Sequence, residues 1–122
     1  MIRFRVALLG VVAAAVVAAF AVPAMAHQSR AMPSTITVTA GKPSEFHFVL
    51  SAATAKSGVV TFKVTNKGKL QHDFSIGGRK TKLLSPGQSD TLRVTLRKGA
   101  QAYKCTVPGH AAAGMKGVVK VS

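Results

Sequence analysis

The stretch YKCTVPGHAAAGM, residues 103–115, holds the only cysteine of a 122-residue chain. His110 follows Cys105 and Met115 follows His110, each after four intervening residues. Each of the three has a bland explanation by itself. A buried thiol behaves as a small hydrophobe, a methionine fills core gaps, and a histidine can sit in a surface turn. Their regular spacing on one short segment, with Pro108 and Gly109 bending the chain between the first two, points instead to a shared metal ion. Zinc sites use several cysteines, or histidines with carboxylates, and seldom a thioether. Methionine selects copper, and two histidines with one cysteine and a weak axial methionine make the blue-copper donor set. The segment carries three of those four groups, so a second histidine must come from elsewhere.

Strand parity selects it. In QHDFSI (71–76), His72 shares a face with Phe74 and Ile76, so it should point inward. His47 alternates with Phe46 and Phe48 and should face solvent, and His27 would be the first residue of the chain once a leader ending at Ala26 is removed. The candidate ligands are therefore His72, Cys105, His110 and Met115. Tyr103 and Cys105 also share parity, so the strand before the loop should deliver the sulfur into the interior.

The rest of the chain alternates in short runs. STITVTA, SEFHFVL, VVTFKVT, TLRVTLR and GVVKV each have an apolar and a polar face, as expected of sheets packed on one core. Turn chemistry separates them at Gly41-Lys42-Pro43, Asn66-Lys67-Gly68, Gly77-Gly78 and Ser85-Pro86-Gly87. Residues 51–57 (SAATAKS) fit either a loop or a short helical turn. The expectation is an all-β sandwich of about seven to eight strands over residues 34–122, with one metal site at one end.

The N-terminus has a different character. MIRFR is basic, Val6 to Val22 is apolar without interruption, and Ala24 and Ala26 form an A-x-A pattern. This is the layout of a secretory signal peptide spanning 1–26, cleaved after Ala26. The alternative is an uncleaved anchor, for which 17 apolar residues are at the short limit. Residues 27–33 are expected to form a flexible lead-in. A small exported domain needs a staple; one cysteine cannot form an internal disulfide, which leaves a metal. Loss of Arg3 and Arg5 with the leader leaves 15 basic residues against Glu45, Asp73 and Asp90. Such a charge favours protein partners with acidic docking surfaces, or a transient contact with an anionic membrane surface. Nucleic acid is not expected, because basic stretches interleaved with aromatics are missing.

QHDF (71–74), SPGQSDTLRVTL (85–96) and GAQAYKCTVPGHAAAGMKGVVKV (99–121) together resemble a cupredoxin, a small blue copper protein of the plastocyanin, azurin and auracyanin kind. The resemblance implies a Greek-key sandwich with one type 1 copper ion bound by His72, Cys105, His110 and Met115. Plastocyanin-like loops have two residues between cysteine and histidine; the four found here are closer to azurin or auracyanin. The resemblance also implies that the residue after the first histidine braces the ligand loop, here as an Asp73–Thr106 hydrogen bond, although plain alternation would turn Asp73 outward. By analogy with azurin, the carbonyl of Gln71 is a second axial candidate.

A filled donor set leaves no position for substrate, so the expected function is one-electron transfer by an exported, monomeric carrier and not catalysis. Oxidases and reductases built from such domains require further histidines, and this chain has four in all. The competing function is copper binding or delivery without a primary redox role. Chelation by an N-terminal His27 would need a partner histidine.

Overall fold

The computed structural model describes residues 10–23 and 34–122. The basic start of the expected leader, the expected cleavage site at Ala26 and the expected lead-in over 27–33 with His27 lie outside the described residues. Residues 10–23 have no regular secondary structure, and among the described residues no helix is long and apolar enough to cross a membrane.

Alternation builds the first sheet. In β1 (Thr35–Ala40), Ile36, Val38 and Ala40 are buried. β2 (Phe48–Leu50) and β3 (Thr54–Ala55) are short, and β4 (Gly58–Asn66) buries Val60, Phe62 and Val64. β5 (Ser75–Ile76) and β6 (Arg79–Lys80) form a small hairpin. Gly77 and Gly78 close it at φ 60° and 77°, the paired positive values that a tight two-residue turn requires. β7 (Ser89–Leu96) buries Leu92, Val94 and Leu96, and β8 (Gly99–Lys104) and β9 (Lys116–Val121) flank the ligand segment.

The nine strands form two sheets, ordered β2-β1-β4-β7 and β3-β9-β8-β5-β6. β1 pairs with β4 and β3 with β9 in parallel, and the remaining pairs are antiparallel. This is the Greek-key sandwich expected, with more short strands than foreseen. Phe74 joins the two layers. Its ring lies 5.2 Å from Phe48, edge to face, 5.2 Å from Phe62 and 5.4 Å from Tyr103, spacings at which aromatic pairs add to area burial.

Two local expectations are corrected. Residues 44–47 of SEFHFVL form a turn and its exit, and only Phe48–Leu50 is strand. Pro43, joined to Lys42 by a cis peptide, stands at the start of this turn. In SAATAKS, neither a plain loop nor a helical turn forms. Thr54 and Ala55 pair in parallel with Lys120 and Val121, giving β9 a partner on its open side.

The loops 41–47, 67–71 and 105–115 gather at one end of the sandwich. Lys67 N donates to Ala40 O at 2.8 Å, tying the second loop to the start of the first, and Gly41 N donates to His47 O at 2.9 Å, closing the first on itself.

Candidate metal centre

Two segments place the ligand candidates: the bridge that carries His72 and the 105–115 loop between β8 and β9. His72 sits in an isolated bridge with Leu84, its amide donating at 3.1 Å and its carbonyl accepting at 2.8 Å. That bridge fixes the backbone, and the ring is fully buried. Cys105 leaves the inner face of β8 as parity predicts and is also buried. Its amide donates to Met115 O at 3.0 Å, closing the loop at its base. Within the loop, His110 N donates to Val107 O and Met115 N to His110 O, both at 3.1 Å. Successive turns thus fold His110 back toward Cys105. Phe46 packs edge to face on the His110 ring at 5.1 Å.

Three donor atoms converge. His72 Nδ1 lies 3.1 Å from His110 Nδ1 and 4.0 Å from Cys105 Sγ, and His110 Nδ1 lies 3.6 Å from the same sulfur. A triangle with these sides has its equidistant point about 2.1 Å from every corner, its circumradius. Metal–nitrogen and metal–thiolate bonds are about 2.0–2.3 Å, so the arrangement accepts a first-row ion without rearrangement. Met115, fully buried, shares a small apolar cluster with Cys105 and Ala40, against which Phe46, Phe48 and Val107 pack. His47 stands apart as expected, exposed and hydrogen-bonded to Ser44.

The electrostatics suit a cation. Burial pushes the Cys105 thiol above its ordinary pKa, so the protein alone does not stabilise a thiolate there; a coordinated cation does. Burial, aided by His72, lowers the pKa of His110. That favours the neutral imidazole, the form with a lone pair to donate. The donor chemistry therefore fits copper: two imidazole nitrogens, one sulfur and a thioether nearby.

Two carboxylates brace the site. Asp73 is buried, not turned outward as alternation suggested, and accepts hydrogen bonds from Thr106 N (2.6 Å) and Thr106 Oγ1. The expected Asp73–Thr106 contact is present, and it overrides alternation because residues 72–74 precede the regular strand. The second brace, Glu45, was missed. Its Oε1 accepts from His72 Nε2 at 2.7 Å and from Leu70 N at 2.8 Å, and both oxygens accept from Lys69 N at 3.0 Å. The backbone amides of Lys69 and Leu70, with His72 adding to them, lower its pKa to about 2. Treating SEFHFVL as one strand put Glu45 on an outer face; the Lys42-Pro43-Ser44 run was the signal that the residue belongs to a turn. Asn66 was also passed over as turn chemistry. Its Nδ2 donates to Leu70 O and Leu84 O, and its Oδ1 accepts from Gly68 N, all at 2.8 Å. Parity with Val60, Phe62 and Val64 marks it as inward, and a buried amide requires such partners.

A family model describing copper-binding proteins of the plastocyanin/azurin family matches residues 25–122. The chain belongs to that family: it is a cupredoxin, a blue copper protein whose cofactor is copper and whose family role is electron transport. Among solved structures it is similar to the dithionite-reduced auracyanin of the photosynthetic bacterium Roseiflexus castenholzii, at 25% identity and a TM-score of 0.65, covering 75% of this chain and 98% of that one. Auracyanin B shares 24% identity at a TM-score of 0.60, covering 72% and 88%. Reduced rusticyanin shares 22% at 0.60, covering 72% and 78%; these last two likenesses speak for the fold alone. No curated protein sequence matches the chain.

Proposed function

We propose that this protein is an exported, monomeric carrier of single electrons, with one copper held by His72, Cys105, His110 and Met115. The convergence of His72 Nδ1, His110 Nδ1 and Cys105 Sγ carries this reading. Copper, when bound, supplies the Cu(I)/Cu(II) couple. Thiolate and thioether suit the reduced ion and imidazole suits both, so one donor set serves the two oxidation states. The braced backbone at both ends of the loop keeps the donors in place between them.

His110 is the point of electron exit. His72, Cys105 and Met115 are buried, whereas His110 is only partly so. Exposed Pro108, Gly109, Ala112 and Ala113 surround it in the loop without a single charge. Leu70 and Leu83, 46% and 48% exposed, flank the His72–Leu84 bridge in sequence. An uncharged loop of this kind lets a partner approach closely. Cations lie on the sheet behind it. Register places Lys80, Ser75, Lys104 and Lys116 in one rung across β6, β5, β8 and β9, and all three lysines are exposed. Like charges in one rung are unfavourable for the fold, and they suit electrostatic steering of an acidic redox partner. Export rests on the leader pattern of residues 1–26, with the mature chain starting at His27.

The test is to add copper(II) to the purified mature protein and record visible and EPR spectra. Intense thiolate-to-copper absorption with narrow hyperfine splitting is expected. Tight copper(I) binding without that absorption would favour delivery instead, and no copper binding at all would overturn both readings.

A further inference from the structure

The chain has three acidic residues against 17 basic ones, and two of the three are placed around the metal loop. Asp73 secures Thr106 beside Cys105. Glu45 does something different: it touches a ligand. We propose that Glu45 is a positioning residue for the copper centre, holding the proton of His72 on Nε2, aiming Nδ1 at the ion, and favouring Cu(II) over Cu(I) through its charge. This rests on the copper reading above.

The geometry makes the contact a built one. A carboxylate is an acceptor, so the 2.7 Å contact assigns the donor role to His72 Nε2. In the neutral ring the other nitrogen, Nδ1, then keeps its lone pair, and Nδ1 is the atom that faces Cys105 and His110. Glu45 is itself fixed by two backbone amides. Asn66 holds the same segment on either side of those amides, gripping Leu70 O and Gly68 N. A roof covers the pair. A Cβ on Gly68 would lie 2.5 Å from Glu45 Oε1 and 3.0 Å from His72 Nε2. A Cβ on Gly41, at φ 80°, would in turn lie 2.4 Å from Gly68 Cα. Two glycines thus let two loops close directly over one hydrogen bond. Partners behind a ligating histidine orient it and raise its basicity, and their loss changes metal affinity by about 10–100-fold. A negative charge one imidazole away from the ion opposes its reduction.

The experiment uses the mature protein and its Glu45→Gln and Glu45→Ala variants. Glu45→Gln keeps an acceptor and removes the charge; Glu45→Ala removes both. Voltammetry of the copper-loaded proteins should show Glu45→Gln favouring Cu(I) by about tenfold, which is about 59 mV upward for one electron. Nitrogen-detected NMR on the copper-free wild type should show the His72 proton on Nε2, and in Glu45→Ala a mixture of tautomers. An unchanged potential in Glu45→Gln, whatever happens to its melting temperature, would reduce Glu45 to a structural brace. A wild-type His72 protonated on Nδ1 would overturn the positioning role even if the potential moved. If Glu45→Ala does not fold, Glu45→Gln and the wild-type tautomer still decide the matter. A wild type that binds no copper defeats the underlying reading and the charge effect with it, while the tautomer decides the orientation of His72 independently.

Discussion

Asp73 and Thr106 link the strand entrance that carries His72 to the loop that carries Cys105. One carboxylate oxygen takes the Thr106 amide and the other its hydroxyl. The two residues stand 33 positions apart, each next to a ligand. Thr106→Val should remove the hydroxyl contact, keep the amide contact, and cost about 1–2 kcal/mol. Thermal unfolding of the copper-free protein measures this. Asp73→Ala should cost more, because it removes both contacts and leaves the part-buried Thr106 amide without its partner.

Cys105→Ser and His72→Ala should each abolish the intense visible band, since each removes a corner of the donor triangle. Met115→Leu should keep the band, because the thioether is the weak axial donor. Its near-equal volume in the Ala40–Cys105 cluster should limit the stability loss to below about 1.5 kcal/mol. His47→Ala should leave the spectrum unchanged. Absorption spectra of copper-titrated variants check all four.

Gly68→Ala should weaken copper(II) binding by about tenfold or more, although Gly68 contributes no ligand. With the loop backbone held in place, its new Cβ can be accommodated only if the Glu45 carboxylate or the His72 ring moves. Competition with a chelator of known affinity reads the change. A variant that binds as tightly as wild type would show that the Gly68 loop yields instead.

Acid should weaken the copper-free protein partly through Glu45. Its folded pKa is lowered from 4.5 to about 2, chiefly by the Lys69 and Leu70 amides. The folded state therefore prefers the ionised carboxylate. The resulting stability is fully present above pH 4.5 and is lost as the pH falls through about 2. Wild type should exceed Glu45→Gln in urea midpoint at pH 6, and the two curves should approach each other toward pH 2.

Much of this was legible from residue types and parity. Inward positions along β1, β4 and β7 follow from strict alternation, because those strands are long enough for one face to be committed to the core. Parity also found His72 and Cys105, and spacing found His110 and Met115 on their loop. Alternation failed wherever the backbone leaves the pleat. Glu45 lies in a turn and Asp73 just before a two-residue strand, so neither side chain obeys the period of two. The pairing of Thr54 with Lys120 was hidden for another reason: a two-residue parallel contact with the final strand has no local pattern. Gly68 was visible as a turn glycine, but its close approach to Glu45 depends on Gly41, distant in sequence.

The backbone bond from Cys105 to Met115 has a further consequence for how such a protein can diversify. The base of the loop is sealed by one amide and one carbonyl at the mouth of the β8–β9 hairpin, so apart from Thr106, Val107 and His110 the intervening residues are tied to little else. Doubling the span between them would cost only about 0.6 kcal/mol in closure entropy. The segment can therefore be exchanged as a cassette, altering which surface meets a partner and how the metal behaves while the sandwich beneath stays as it is.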